Sequence, residues 1–96
     1  MTYILSTQTP ATLDDFGKVD RALGDVVPTG LLARYVGTNE LGLCITTVWA
    51  SKADSDRFTV ERLFRALESV FGHAPGAPMV AVAFEAVDEL VIEAAR

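Results

Sequence analysis

The spacing of hydrophobic and polar positions changes several times along the chain. Thr2 to Gln8 alternates loosely and is rich in strand formers, which predicts a first strand that Pro10 stops. The period then lengthens. Leu13, Phe16, Val19 and Leu23 fall on one helical face behind Thr12, and Asp15 stands where a capping box needs its second acceptor, with Asp replacing Glu or Gln. Gly24 and Pro28 close this helix. The run LLARYV, between Gly30 and Val36, predicts a second strand, and Leu43 to Ala50 a third. Between them, Gly37 to Gly42 supplies the glycines and asparagine of a hairpin loop.

In the third strand Leu43, Ile45, Thr47 and Trp49 share one face, and Cys44, Thr46 and Val48 share the other. Both faces are largely apolar. Such a strand needs helices over one face and a second cover, such as a partner subunit, over the other. Ser51, Asp54 and Ser55 each fit as the cap of a second helix, with Val60, Leu63, Phe64, Leu67, Val70 and Phe71 as its apolar stripe. Phe58 breaks that phase, so either the helix kinks near Thr59 or Phe58 meets a different surface. Gly72 ends the helix, His73 to Pro78 is a turn-rich connector, and Met79 to Glu85 reads as a fourth strand. The tail, AVDELVIEAAR, fits a short helix as well as a further strand.

The order strand, helix, strand, strand, helix, strand, joined by right-handed crossovers, gives a ferredoxin-like α+β fold. It is a four-stranded antiparallel sheet with two helices on one face. Residues 1–96 form one domain, without repeats or linkers.

Composition sharpens this picture. Half of the residues are hydrophobic and the mean hydropathy is +0.30, high for so short a chain. The longest apolar run, Val80 to Phe84, falls far short of the ~20 residues of a membrane span. The excess apolar surface therefore points to a subunit interface or a ligand cavity, and a homodimer is expected. The net charge of −5, without a basic cluster, argues against nucleic-acid binding. MTYILSTQTP lacks the layout of a signal peptide, which leads to a cytoplasmic expectation. Cys44, the one cysteine, reads as an inert thiol within an apolar strand. One histidine and scattered carboxylates offer no metal-ligand spacing, so neither metal nor cofactor is expected.

Three segments carry a family resemblance: P-T-G-L-L-A-R-Y-V-G from Pro28 to Gly37, T-T-V-W-A-S from Thr46 to Ser51, and R-F-T-V-E-R-L from Arg57 to Leu63. Together they resemble the dimeric α+β barrel superfamily, and within it the small proteins related to the antibiotic-biosynthesis monooxygenases. The resemblance implies two subunits packed sheet to sheet, each with a cleft between sheet and helices. In the cofactor-independent monooxygenases of that superfamily Trp, Asn and Tyr groups line the cleft and hold an aromatic substrate. Trp49 matches the strand-end tryptophan. Asn39 belongs to the hairpin loop and has no such match, and Arg34 stands where related proteins often carry His. His73 lies beyond the helix end, so the haem-ligand role of the haem-degrading relatives does not transfer to it.

Four residues are candidates for ligand contact: Trp49, Arg34, Tyr35 and His73. Trp49 is either a core residue with its indole N–H bonded to a carbonyl or water, or an aromatic platform in the cleft. Arg34, amid apolar neighbours, must reach water, a carboxylate such as Glu61 or Glu68, or an anionic ligand. A four-residue hairpin loop places Arg34 on the Trp49 face, and a three-residue loop places Tyr35 there. His73 either lies in solvent or caps the cleft as a proton carrier. The functional expectation is a dimeric barrel protein, monooxygenase-like, that takes an aromatic or polyketide-type small molecule. The alternative is a non-catalytic dimeric module whose cleft is filled by its own side chains. An open cleft beside Trp49 separates the two.

Overall fold

The computed structural model describes residues 2–72 and 80–92. Strand β1 (Tyr3–Thr9) leads into helix α1 (Leu13–Leu23), followed by the hairpin of β2 (Leu31–Asn39) and β3 (Gly42–Trp49). A helical stretch then runs as α2 (Lys52–Phe58), a π-helical turn (Thr59–Leu63) and α3 (Phe64–Phe71), before β4 (Val80–Glu85). The strands form one antiparallel sheet in the order β2-β3-β1-β4. Each crossover carries helix, which is the ferredoxin-like arrangement.

Local chemistry explains the boundaries. Thr12 caps α1: its Oγ1 accepts from the Asp15 N–H at 3.1 Å, and the Asp15 carboxylate accepts from the Thr12 N–H at 3.1 Å. Of the three candidate caps for α2, Ser51 takes the role and accepts from the Asp54 N–H at 3.2 Å. The β2–β3 hairpin is tighter than either expected loop. Asn39 pairs with Gly42, so only Glu40 and Leu41 form the turn. Gly42 has φ +125°, and a Cβ there would run into the Thr9 backbone, so the residue must be glycine.

The phase conflict at Phe58 is resolved by a wide helical turn. Phe64 N–H bonds back five residues, to the Thr59 carbonyl. The Thr59 hydroxyl meanwhile donates to the Ser55 carbonyl at 2.9 Å, the kind of back-bonding that disturbs a regular helix. Phe58 thereby packs on Trp49, with ring centroids 5.4 Å apart, while Val60 turns outward and is 63% exposed. The expected stripe is corrected accordingly: Val60, Phe64 and Phe71 are exposed, and Ala66 is the buried position of α3.

The helices cover the face of β3 that carries Thr47 and Trp49. Phe58 reaches Trp49 from α2, and Arg34 on β2 reaches Phe16 and Asp20 of α1. The other sheet face, with Tyr35, Val80, Val82 and Phe84, is largely exposed in the single chain. The tail expected as helix or strand is neither over residues 86–92. Val87, Leu90, Val91 and Ile92 all stand almost fully exposed, and an apolar stripe without a surface to bury against has nothing to hold it in regular structure. None of the described helices is long and apolar enough to cross a membrane.

Candidate functional site

A cleft of about 440 Å³ opens between the sheet and the helices. Its floor is Thr47, Trp49 and Phe58, and one wall is formed by Leu31 and Arg34 of β2. Its outer wall is residues 24–28 of the segment joining α1 to β2, and Arg62 reaches in from the π-helical turn.

Trp49 is 2% exposed, the largest fully buried side chain. Its indole N–H donates to the Thr47 hydroxyl at 2.9 Å rather than to a carbonyl or water. It therefore fills the core and borders the cleft at once, offering a ligand little more than an edge. Phe58, tilted 39° against it and half-buried, presents more surface.

Arg34 comes to this face through a β-bulge. Leu31 pairs with Trp49 and Arg34 with Thr47, with an irregularity between Leu31 and Ala33. Residues three apart lie on opposite faces of a regular strand, but the bulged residue lets Leu31 and Arg34 both line the cleft. The partner of Arg34 is neither Glu61 nor Glu68. Its Nη1 donates to Asp20 Oδ1 at 3.1 Å, and its guanidinium carbon lies 5.1 Å from the Phe16 ring centroid. Both side chains of the pair are about two-fifths exposed (41% and 43%), so the pair contributes roughly 0–1 kcal/mol.

Tyr35 follows on the opposite face, paired with Thr46 and 66% exposed, so it does not share the cleft with Trp49. His73 lies outside the described residues. Arg62 went unnoticed in the sequence, where it sits in a helix at a position that reads as an ordinary solvated charge. Its Nη2 donates to the carbonyls of Leu23, at 2.9 Å, and Val26, at 3.2 Å, and its guanidinium carbon lies 5.7 Å from the Phe58 ring centroid. The first of these carbonyls belongs to the last turn of α1, where a cation also meets the negative end of the helix dipole. Arg62 thus ties the outer wall of the cleft to the helix behind it. Gly30, at the far end of the same segment, has φ +86°, and a Cβ there would meet the Asp54 side chain, so this segment also packs closely against the start of α2.

Among the described residues no group of three or more His, Cys, Asp or Glu side chains is placed to hold a metal. Lys52, away from the cleft, has its ammonium pKa raised by the hydrogen bond to Asp56 and the charge of that carboxylate.

No family model matches the sequence, and no curated protein matches it. Solved structures do share the fold. A candidate antibiotic biosynthesis monooxygenase from Chloroflexus aurantiacus J-10-fl superposes with a TM-score of 0.66 at 16% identity, covering 97% of this chain and all of that one. Rv0793 from Mycobacterium tuberculosis gives a TM-score of 0.63 at 12% identity over 94% of this chain and 98% of its own. A dimeric ferredoxin-like protein of unknown function from Jannaschia sp. CCS1 gives 0.58 at 17% identity, over 88% and 98% of the two chains. At these identities the likeness is one of fold. The chain has the ferredoxin-like architecture of antibiotic biosynthesis monooxygenase-like and dimeric ferredoxin-like proteins.

Proposed function

We propose that this chain forms a homodimer through the uncovered sheet face and binds an aromatic or polyketide-type small molecule in the cleft between sheet and helices. The carrying observation is the open cleft beside Trp49 and Phe58. Its volume of about 440 Å³ lies within the roughly 300–1,000 Å³ of small-molecule sites. A cleft filled by its own side chains would leave no such space, so the geometry favours a ligand over the self-filled module. The apolar residues on the open face and the tail support the dimer, as does the likeness in fold to the dimeric Jannaschia protein. The monooxygenase-like specialisation rests on the fold shared with the proteins so described. It places the reaction in the substrate: a phenol able to form its own carbanion would supply the electrons to oxygen, and the cleft would orient it. Arg34 and Arg62 are the cleft groups able to steady a phenolate; Tyr35 is not.

Two measurements test the reading. Light scattering at micromolar concentration is expected to give the mass of a dimer, and a stable monomer contradicts the assembly. Titration with planar phenols and quinones is expected to quench the fluorescence of the sole tryptophan saturably, and linear quenching contradicts the cleft.

A further inference from the structure

We infer that the ligand of this cleft is an anion, an aromatic carboxylate or phenolate, and that Arg62 recognises its charge. The inference rests on the cleft being a ligand site, as proposed above, and adds the chemical class and the residue. Three observations carry it. First, Arg62 is half-buried and lines the cleft, yet among the described residues no carboxylate lies within ion-pair distance of it. Among the described residues its positive charge is met by two backbone carbonyls and the face of the Phe58 ring, and a cation partly withdrawn from water gains from an anion that joins it. Arg34 differs, because Asp20 already neutralises it. Asp25, which also borders the cleft, is exposed on the connecting segment and makes no ion pair among the described residues.

Second, both carbonyl contacts use the same nitrogen, Nη2. Of the five guanidinium N–H groups, those on Nη1 and Nε have no partner among the described residues and remain free to donate to the oxygens of an acid. Third, the surroundings are apolar and aromatic. Phe58 lies beneath the guanidinium, with Trp49 and Leu31 beyond, and Val26 and Val27 at the mouth are bare although they border the cavity. A planar apolar body would cover those valines while its charged end met Arg62.

The test compares 2-naphthoate with 2-naphthamide by isothermal titration calorimetry at neutral pH and low salt. The two differ in charge and hardly in shape. Naphthoate is expected to bind about tenfold or more tightly than the amide. Arg62→Met should abolish the preference, while Arg62→Lys, which keeps the charge but lacks the free Nη1 and Nε donors, should retain only part of it. Circular dichroism shows which variants fold, and an unchanged preference in any folded Arg62 variant overturns the proposal. So does equal binding of the two probes to the unaltered protein, which would leave the cleft as an aromatic site without charge selection. Preference lost in Arg34→Met and kept in both Arg62 variants also overturns it, moving the anion to Arg34. If neither probe binds, the ligand cleft itself fails and this inference with it.

Discussion

Trp49 works mainly as a structural side chain that happens to form the floor of a cleft. Its ring is buried, its N–H is satisfied by Thr47, and Phe58 covers it. Trp49→Ala is expected to cost about 3–5 kcal/mol in a urea denaturation series, through lost burial and the cavity left behind. Trp49→Phe should cost less, since it keeps most of the packing and leaves only the Thr47 hydroxyl without its donor. A loss below about 1 kcal/mol for the alanine variant would show that the ring is not part of the core. The burial of Trp49 was legible in the sequence as one of two alternatives, a large residue ending an apolar strand. The need of Arg34 for a counter-charge was legible too. Its identity was not, because Asp20 comes from α1 rather than from the helix that carries Glu61 and Glu68, and only tertiary packing brings it near. Arg62 was invisible because its partners are backbone carbonyls, which carry no sequence signal.

Among the elements, α1 was the most legible. The pattern Thr12-x-x-Asp15 specifies its start, and Phe16, Val19 and Leu23 its inner face, whereas Leu13, the first point of the expected stripe, is exposed. Thr12→Ala removes the acceptor for the Asp15 N–H and is expected to destabilise the protein by about 1 kcal/mol, measured by thermal or urea unfolding. No measurable change would mean that water replaces the cap without loss. The second helical stretch shows where periodicity stops being sufficient. The misplaced Phe58 marked a fault near Thr59, but a pattern of apolar positions cannot distinguish a kink from a wide turn. The difference matters for the site, because the π-helical turn carries Arg62 while Phe58 stays on Trp49. The bulge in β2 escaped notice for a similar reason. Strict alternation assigns Leu31 and Arg34 to opposite faces, and one extra residue, Leu32, places them on the same side.

For the whole molecule, element order alone led to the ferredoxin-like arrangement, a four-stranded antiparallel sheet with two helices on one face, because crossover handedness leaves few alternatives. The tail was not legible. Val87, Leu90, Val91 and Ile92 stand exposed on the described chain, and a partner's sheet face or tail is the cover that the proposed homodimer provides. The proposed arrangement is two sheets face to face, with each cleft left free on the helix side for a small planar ligand; the surplus of apolar surface supports it. The most direct test of that claim is the fluorescence of Trp49, the sole tryptophan, titrated with a planar phenol in the intact protein. The account predicts quenching that saturates at one ligand per chain and persists when the mass in solution is that of a dimer. Quenching that rises linearly without a plateau, or none at all, would contradict it.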